Sequence, residues 1–264
     1  MIITKLHGSF IWYELMITDP VGAKAFYDKV AGWDIDAASA RPDMDYRMIK
    51  RADGQMTGGV FKLNDEMLGQ GAKPCWLGYI GIDDCDAAAK AVEAKGGKVV
   101  MPPMDVPMAG RIAMVSDCCG APYYIMTPAT PPGGGESSAF SVDGLGACGW
   151  NELHAGNQAN ALDFYTGLYG WSLPEPMDMG PMGKYQFINH EDLTLGAIMQ
   201  KPPHVPAPGW NHYFRVADID KAKAAVDAGG GTITHGPMEV PGGDWIFNGI
   251  DPQGAMFAIV GKKV

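Results

Sequence analysis

From Phe10 to Met16, bulky and mixed positions alternate with the period of a half-buried strand, placing Trp12, Glu14 and Met16 on one face. Thr18-Asp19-Pro20 then opens a helix, with an oxygen acceptor at the cap and proline in the first turn. Ala23, Phe26, Tyr27 and Val30 recur at helical spacing, and Gly32 ends the run. Strands are expected near Tyr46–Lys50 and Gly58–Leu63, with a weak edge before them, giving one β-α-β-β-β module. A second module begins with the strand Trp76–Ile82, the cap Asp83-Asp84 and an Ala-rich helix from Ala87 to Lys95. Val99–Met101 reads as a strand, Pro102–Pro107 as a Pro/Met loop, and Arg111–Ser116 and Pro122–Thr127 as the closing strands.

Residues 129–144 lack apolar periodicity and are rich in Pro, Gly and Ser, so they read as a linker between a domain at 1–128 and another at 145–264. The second domain repeats both modules. Its strands are expected at Cys148–His154, Tyr185–Ile188, Leu195–Met199 and Trp210–Val216, then near Thr232–Thr234, Asp244–Phe247 and Ala255–Val260. Helices fall at Ala159–Leu168 and Asp220–Ala228. The repetition is literal: Trp12, Glu14, Phe26, Tyr27, Gly32 and Trp33 return as Trp150, Glu152, Phe164, Tyr165, Gly170 and Trp171, each 138 residues later. A fixed internal period marks a duplication, and Asp84 returns as Asp218 at an offset of 134.

Composition narrows the partners. With 47% hydrophobic and 19% charged residues the 264-residue chain is globular, and a net charge of −10 disfavours a nucleic-acid or anionic-membrane surface. No secretory leader pattern or apolar run of membrane-spanning length is present, so a cytoplasmic location is expected. The five cysteines include no CxxC spacing, which fits reduced thiols; the adjacent Cys118-Cys119 pair is either redox-active or a plain turn. No nucleotide-binding glycine fingerprint or Gly-x-Ser-x-Gly elbow occurs.

Trp-x-Glu-Leu, the Phe-Tyr helix ending Gly-Trp, the Trp76…Tyr79…Ile82-Asp83-Asp84 run and the Asp251-Pro252-Gln253-Gly254 turn before the last strand together resemble the vicinal oxygen chelate superfamily. That group holds glyoxalase I, bleomycin-resistance proteins and extradiol dioxygenases. The resemblance implies an α+β fold of four βαβββ modules in two tandem domains, clefts for small molecules, and in many members a divalent metal acting as Lewis acid. It also implies a monomer with pseudo-dimeric domains or a homodimer. The ligand positions carried over by counting fall on Trp12, Leu77 and Tyr124 in one copy and Trp150, Asn211 and Ala258 in the other. These do not match a metal centre built from imidazole and carboxylate.

Glu152 and His154, two apart on one strand face, are the candidate catalytic pair and the weak metal candidates. Trp150, Asn211, Tyr213 and Arg215, with Trp12, Glu14, Tyr79 and Tyr124, are the candidate substrate contacts. Two functions are expected from these residues: a lyase or isomerase with Glu152 as general base and His154 or a metal beside it, or alternatively a protein that binds and sequesters a small, partly apolar molecule without metal or catalysis. A structural pairing of Glu152 with Arg215 or with backbone amides is the third reading. His212 is expected to pack inward, His190 to lie at a hairpin turn, and His204 and His235 in loops. Loop methionines such as Met104, Met108, Met182 and Met238 suit either an apolar lid or simple gap-filling.

Overall fold

The computed structural model describes residues 6–39, 41–129 and 137–264. The centre of the expected linker, 130–136, and the first five residues lie outside the described residues. The elements follow the four-module reading. The first module is β1 (Phe10–Ile17), α1 (Pro20–Val30), β2 (Asp34–Ile35), β3 (Tyr46–Lys50) and β4 (Met56–Lys62), followed by the short α2 (Asp65–Gly69). The second is β5 (Cys75–Gly81), α3 (Cys85–Ala94), β6 (Lys98–Val106), β7 (Gly110–Ser116) and β8 (Pro122–Pro128). The third is β9 (Cys148–Ala155), α4 (Gln158–Tyr169), β10 (Met177–Asp178), β11 (Lys184–His190) and β12 (Leu193–Gln200). The fourth is β13 (Gly209–Val216), α5 (Ile219–Gly229), β14 (Thr232–Glu239), β15 (Trp245–Ile250) and β16 (Met256–Gly261).

Two compact units result. The first takes the residues up to Ile11, Gly78–Ser137 and Asn151–Trp210, and the second Trp12–Leu77, Ser138–Trp150 and Asn211–Val264. Each therefore combines most of one module from each sequence copy. The first contains the strand orders β5-β8-β7-β6 and β10-β11-β12-β9; the second contains β2-β3-β4-β1 and β13-β16-β15-β14.

Local chemistry explains the helices. Asp19, Asp84, Asn157 and Asp218 cap α1, α3, α4 and α5, each side chain accepting from a backbone N–H of the first turn. Glycine is demanded where β-strands approach closely. A Cβ on Gly196 would lie 1.7 Å from the Asn151 carbonyl oxygen, and one on Gly58 would lie 1.9 Å from that of Tyr13. Gly58 and Gly196 are themselves 138 apart, so the duplication preserved this contact too.

The two edge strands depart from expectation. Pro102–Pro107 is not a loop at its start, because β6 runs unbroken to Val106, and β14 continues past Thr234 to Glu239. Both lie outermost in their strand order, where a missing N–H costs no ladder bond. Register shifts between Val99 and Met104, and between Ile233 and Met238, absorb the prolines. Met104 and Met238 thus sit on strands rather than in flexible loops. Met108, at the β6–β7 turn, is almost fully exposed.

The duplicated aromatics form a buried relay in each unit. In the second unit the Trp76 indole donates to the Tyr27 hydroxyl at 3.1 Å, and that hydroxyl donates to Asp251 at 3.0 Å. In the first, Trp210 donates to Tyr165 at 3.0 Å and Tyr165 to Asp117 at 3.4 Å. One oxygen of each aspartate also accepts two backbone N–H groups of the following turn, from Gln253 and Ala255 or from Cys119 and Ala121. Buried polar atoms are satisfied in this way. Burial nevertheless pushes both carboxyls above the usual carboxylate range. Trp33 and Trp171 are core residues as expected, their indoles donating to the carbonyls of Gly146 at 2.8 Å and Gly8 at 2.7 Å.

Candidate functional site

Along β9, Asn151, Leu153 and Ala155 are buried, whereas Trp150, Glu152 and His154 are only partly so. Spacing of two on an extended strand sets Glu152 and His154 side by side, and Oε1 of Glu152 lies 3.0 Å from Nε2 of His154. A carboxylate only accepts, so the imidazole form with hydrogen on Nε2 makes this bond. The second oxygen, Oε2, accepts the Tyr185 hydroxyl at 2.6 Å. Tyr185 reaches it from β11, two strands away: Ala197 of β12 pairs with Glu152 on one side and Phe187 on the other, and Met199 pairs with His154. The small Ala197 side chain leaves space for the phenol to cross, and Phe187 packs edge-on against Tyr185 at 5.7 Å. Side-chain exposure is 12% for Glu152 and 16% for His154, so the pair is partly desolvated yet within a ligand's reach. In that setting each hydrogen bond orients the carboxylate more strongly than it would in water.

The other candidate residues fall into separate groups. In the first unit Tyr79 and Tyr124 pair in register across β5 and β8, and their rings stack at 4.3 Å and 14°. In the second unit Trp12 donates its indole N–H to the Tyr46 hydroxyl at 2.8 Å, and Glu14 is buried. The field of Glu14 adds to the larger effect of burial in pushing the Cys75 thiol up to about 11. Trp150 packs with Ile246 on the cluster of Tyr213, Ala258 and Val260, and Asn248 donates to the Tyr213 hydroxyl at 3.3 Å. Asn211, half-buried, shares a face of β13 with Tyr213 and Arg215. The ion pair expected between Glu152 and Arg215 has other partners on both sides. Arg215 donates to Asp244 at 2.7 Å, where Lys262 also arrives at 2.7 Å, while Glu152 holds His154 and Tyr185.

Among the histidines, His212 is buried beside the Tyr13 ring at 4.9 Å, and burial lowers it to about 3. His190 ends β11 with Nδ1 3.2 Å from the Ser9 hydroxyl, while His204 and His235 are exposed. Tyr185 is the site residue that periodicity missed. Its partnership depends on the registers of three strands, and its first-copy counterpart, Tyr46, lies 139 rather than 138 residues earlier, Ile49 pairing with Gly58 as Ile188 pairs with Gly196.

The donor positions implied by the superfamily do not fit a divalent metal. They hold Trp12, Leu77, Tyr124, Trp150, Asn211 and Ala258. Tyr124 is stacked on Tyr79, and among the described residues no group of three or more His, Cys, Asp or Glu is arranged to hold a metal ion.

The module order and the duplication define a class that comparison with known proteins confirms. The chain belongs to the glyoxalase/bleomycin resistance protein/dioxygenase superfamily, whose family model matches residues 9–122 and again 148–259. It is 30% identical over 254 residues to CFP32 of Mycobacterium tuberculosis, whose name assigns it provisionally to the glyoxylases; the match covers 96% of this chain and 94% of that one. It is 29% identical over 269 residues to the anthracycline biosynthesis protein DnrV of Streptomyces peucetius, covering 96% and 93%. In fold it is similar to the Mn(II)-bound glyoxalase of Novosphingobium aromaticivorans, with a TM-score of 0.63, 17% identity, and 97% and 83% of the two chains covered. Among the described residues no helix is long and apolar enough to cross a membrane.

Proposed function

We propose that the chain takes a small, partly apolar organic molecule carrying an acidic hydrogen, a phenol or a carbon acid beside a carbonyl, against the partly exposed face of β9. The observation that carries this reading is the Tyr185–Glu152–His154 constellation, with bonds of 2.6 and 3.0 Å on the two oxygens of one carboxylate. Tyr185 and His154 fix the carboxylate's orientation. A proton leaving the ligand passes to the Glu152–His154 pair, where carboxylate and imidazolium match in charge. Such proton abstraction is the first step of an isomerase or lyase, and a fixed base contributes roughly 10²–10⁴-fold to rate. The names of two relatives point to ligands of this chemistry: a glyoxylase acts beside a carbonyl, and anthracyclines carry phenols next to carbonyls.

The second reading, binding without catalysis, is favoured by the non-ligating residues at Trp12, Leu77, Trp150 and Ala258. One experiment addresses both. Wild type, Glu152→Gln and His154→Asn are compared for quenching of protein fluorescence by an anthracycline and for turnover of the hemithioacetal of methylglyoxal and glutathione. Turnover lost in both variants with binding retained supports the base. Binding without turnover in any of the three supports sequestration. Neither binding nor turnover in wild type removes both readings.

A further inference from the structure

The duplicated aspartate turn after the penultimate strand of each domain has been put to different uses. In the second unit Asp251 organises the turn Asp251-Pro252-Gln253-Gly254, and Gln253 clamps the start of α1. Its Oε1 accepts from the Thr18 hydroxyl at 2.8 Å and from the Asp19 N–H at 2.7 Å, while its Nε2 donates to the Asp19 carbonyl at 2.9 Å. In the first unit the same scaffold is built on Asp117, whose Oδ1 accepts from the N–H groups of Cys119 at 2.8 Å and Ala121 at 2.9 Å. Here the two turn positions are Cys118 and Cys119. Cys119, standing where Gln253 stands, reaches the matching helix cap only through a weak contact, its Sγ lying 3.8 Å from the Asn157 carbonyl. The amide clamp is replaced by two thiols that the fold does not need as a clamp.

Their geometry suits a ligand. The Sγ atoms are 3.7 Å apart, both residues are half-buried, and the turn that carries them is fixed by the Asp117 bonds and by the Gly120 N–H bonding to the Asp117 carbonyl at 3.1 Å. Burial, with Cys119 alongside, pushes the Cys118 thiol up to about 12. At neutral pH it is therefore a protonated thiol and a poor peroxide target, because the thiolate is the reactive form. Two preset sulfurs instead favour a soft, thiophilic centre, the second sulfur–ligand bond being intramolecular.

We propose that Cys118 and Cys119 form a vicinal dithiol site for a trivalent arsenical. With an arylarsine oxide the exchange balances without an oxidant: two S–H bonds and the arsenic–oxygen bonds break, two As–S bonds form, and the oxygen leaves as water with both protons. Arsenic remains trivalent and the sulfurs keep their oxidation state. Closure gives a ring through the two side chains and the peptide joining them.

The probe is phenylarsine oxide, added to the full-length reduced protein and read by intact-mass spectrometry. Wild type and Cys75→Ser are expected to gain one phenylarsenic and lose two hydrogens. The adduct should survive excess glutathione, a monothiol, and be released by 2,3-dimercaptopropanol. Cys118→Ser and Cys119→Ser should each lower occupancy at least ten-fold at equal reagent while keeping the wild-type thermal midpoint. An adduct formed equally in both serine variants, or stripped from wild type by glutathione, would overturn the assignment. Should either serine variant fail to fold, iodoacetamide mapping of the treated wild type decides: protection confined to Cys118 and Cys119 supports the site, and alkylation at the untreated rate refutes it.

Discussion

His212 should make the protein measurably acid-labile. The ring is buried against Tyr13, and burial lowers its folded-state value to about 3, whereas an unfolded chain restores the ordinary value near 6.5. Below that ordinary value the unfolded state binds a proton that the folded state refuses, so this contribution to stability is complete above about pH 6.5 and falls with pH toward 3. The slope is about 1.4 kcal/mol per pH unit, which makes the loss about 2 kcal/mol between pH 7.5 and pH 5. His212→Phe keeps a ring beside Tyr13 and removes the titration. Urea unfolding followed by tryptophan fluorescence, done on wild type and variant at both pH values, isolates the effect because every other group titrates in both proteins. The variant should gain about 2 kcal/mol relative to wild type on going to pH 5, whatever the substitution costs at pH 7.5. An unchanged difference between the two proteins would show that His212 protonates normally in the fold, and the packing argument would fail.

Asp251 should behave in the opposite sense. Its folded value is raised by burial, so its contribution is present at acid pH and is lost as pH rises through that value; Asp251→Asn should therefore gain on wild type between pH 4 and pH 7 in urea titrations. Asp251→Ala instead leaves the Gln253 and Ala255 N–H groups without their acceptor and should cost about 2 kcal/mol or more. Gly196→Ala drives a Cβ to 1.7 Å from the Asn151 carbonyl and should destabilise by more than about 3 kcal/mol, while Gly69→Ala, with open space around it, should stay within about 0.5 kcal/mol. Tyr185→Phe removes one hydrogen bond to Glu152, so its thermal midpoint should move little while ligand affinity, read by fluorescence titration, drops several-fold.

The sequence carried the fold unusually far because it was written twice. The 138-residue offset located the modules, and Asp, Asn and Gly at the helix ends marked their limits. Pro102, Pro103 and Pro237 misled the reading of β6 and β14, since a proline that ends an inner strand is harmless on an outer one. Glu152 with His154 was legible because spacing of two on a strand fixes a common face without knowledge of any neighbour. Tyr185 was not: its hydroxyl meets Glu152 through the pairing of β11 with β12 and of β12 with β9, and the stretch between α4 and β11 has no period that would set that register. The Asp–Tyr–Trp relays were present as recurrences, Tyr27 with Tyr165 and Trp76 with Trp210, but hydrogen bonds between distant residues leave no local pattern.

The site itself is tested most directly by following the histidine ring resonances during titration with the anthracycline used for fluorescence quenching, with His154 assigned through His154→Asn. His154 should shift with saturation at the affinity measured by fluorescence, while the exposed His204 and His235 stay in place. A saturable shift at His204 or His235 with His154 unmoved would place the ligand elsewhere and contradict the assignment of Glu152, His154 and Tyr185 as its site.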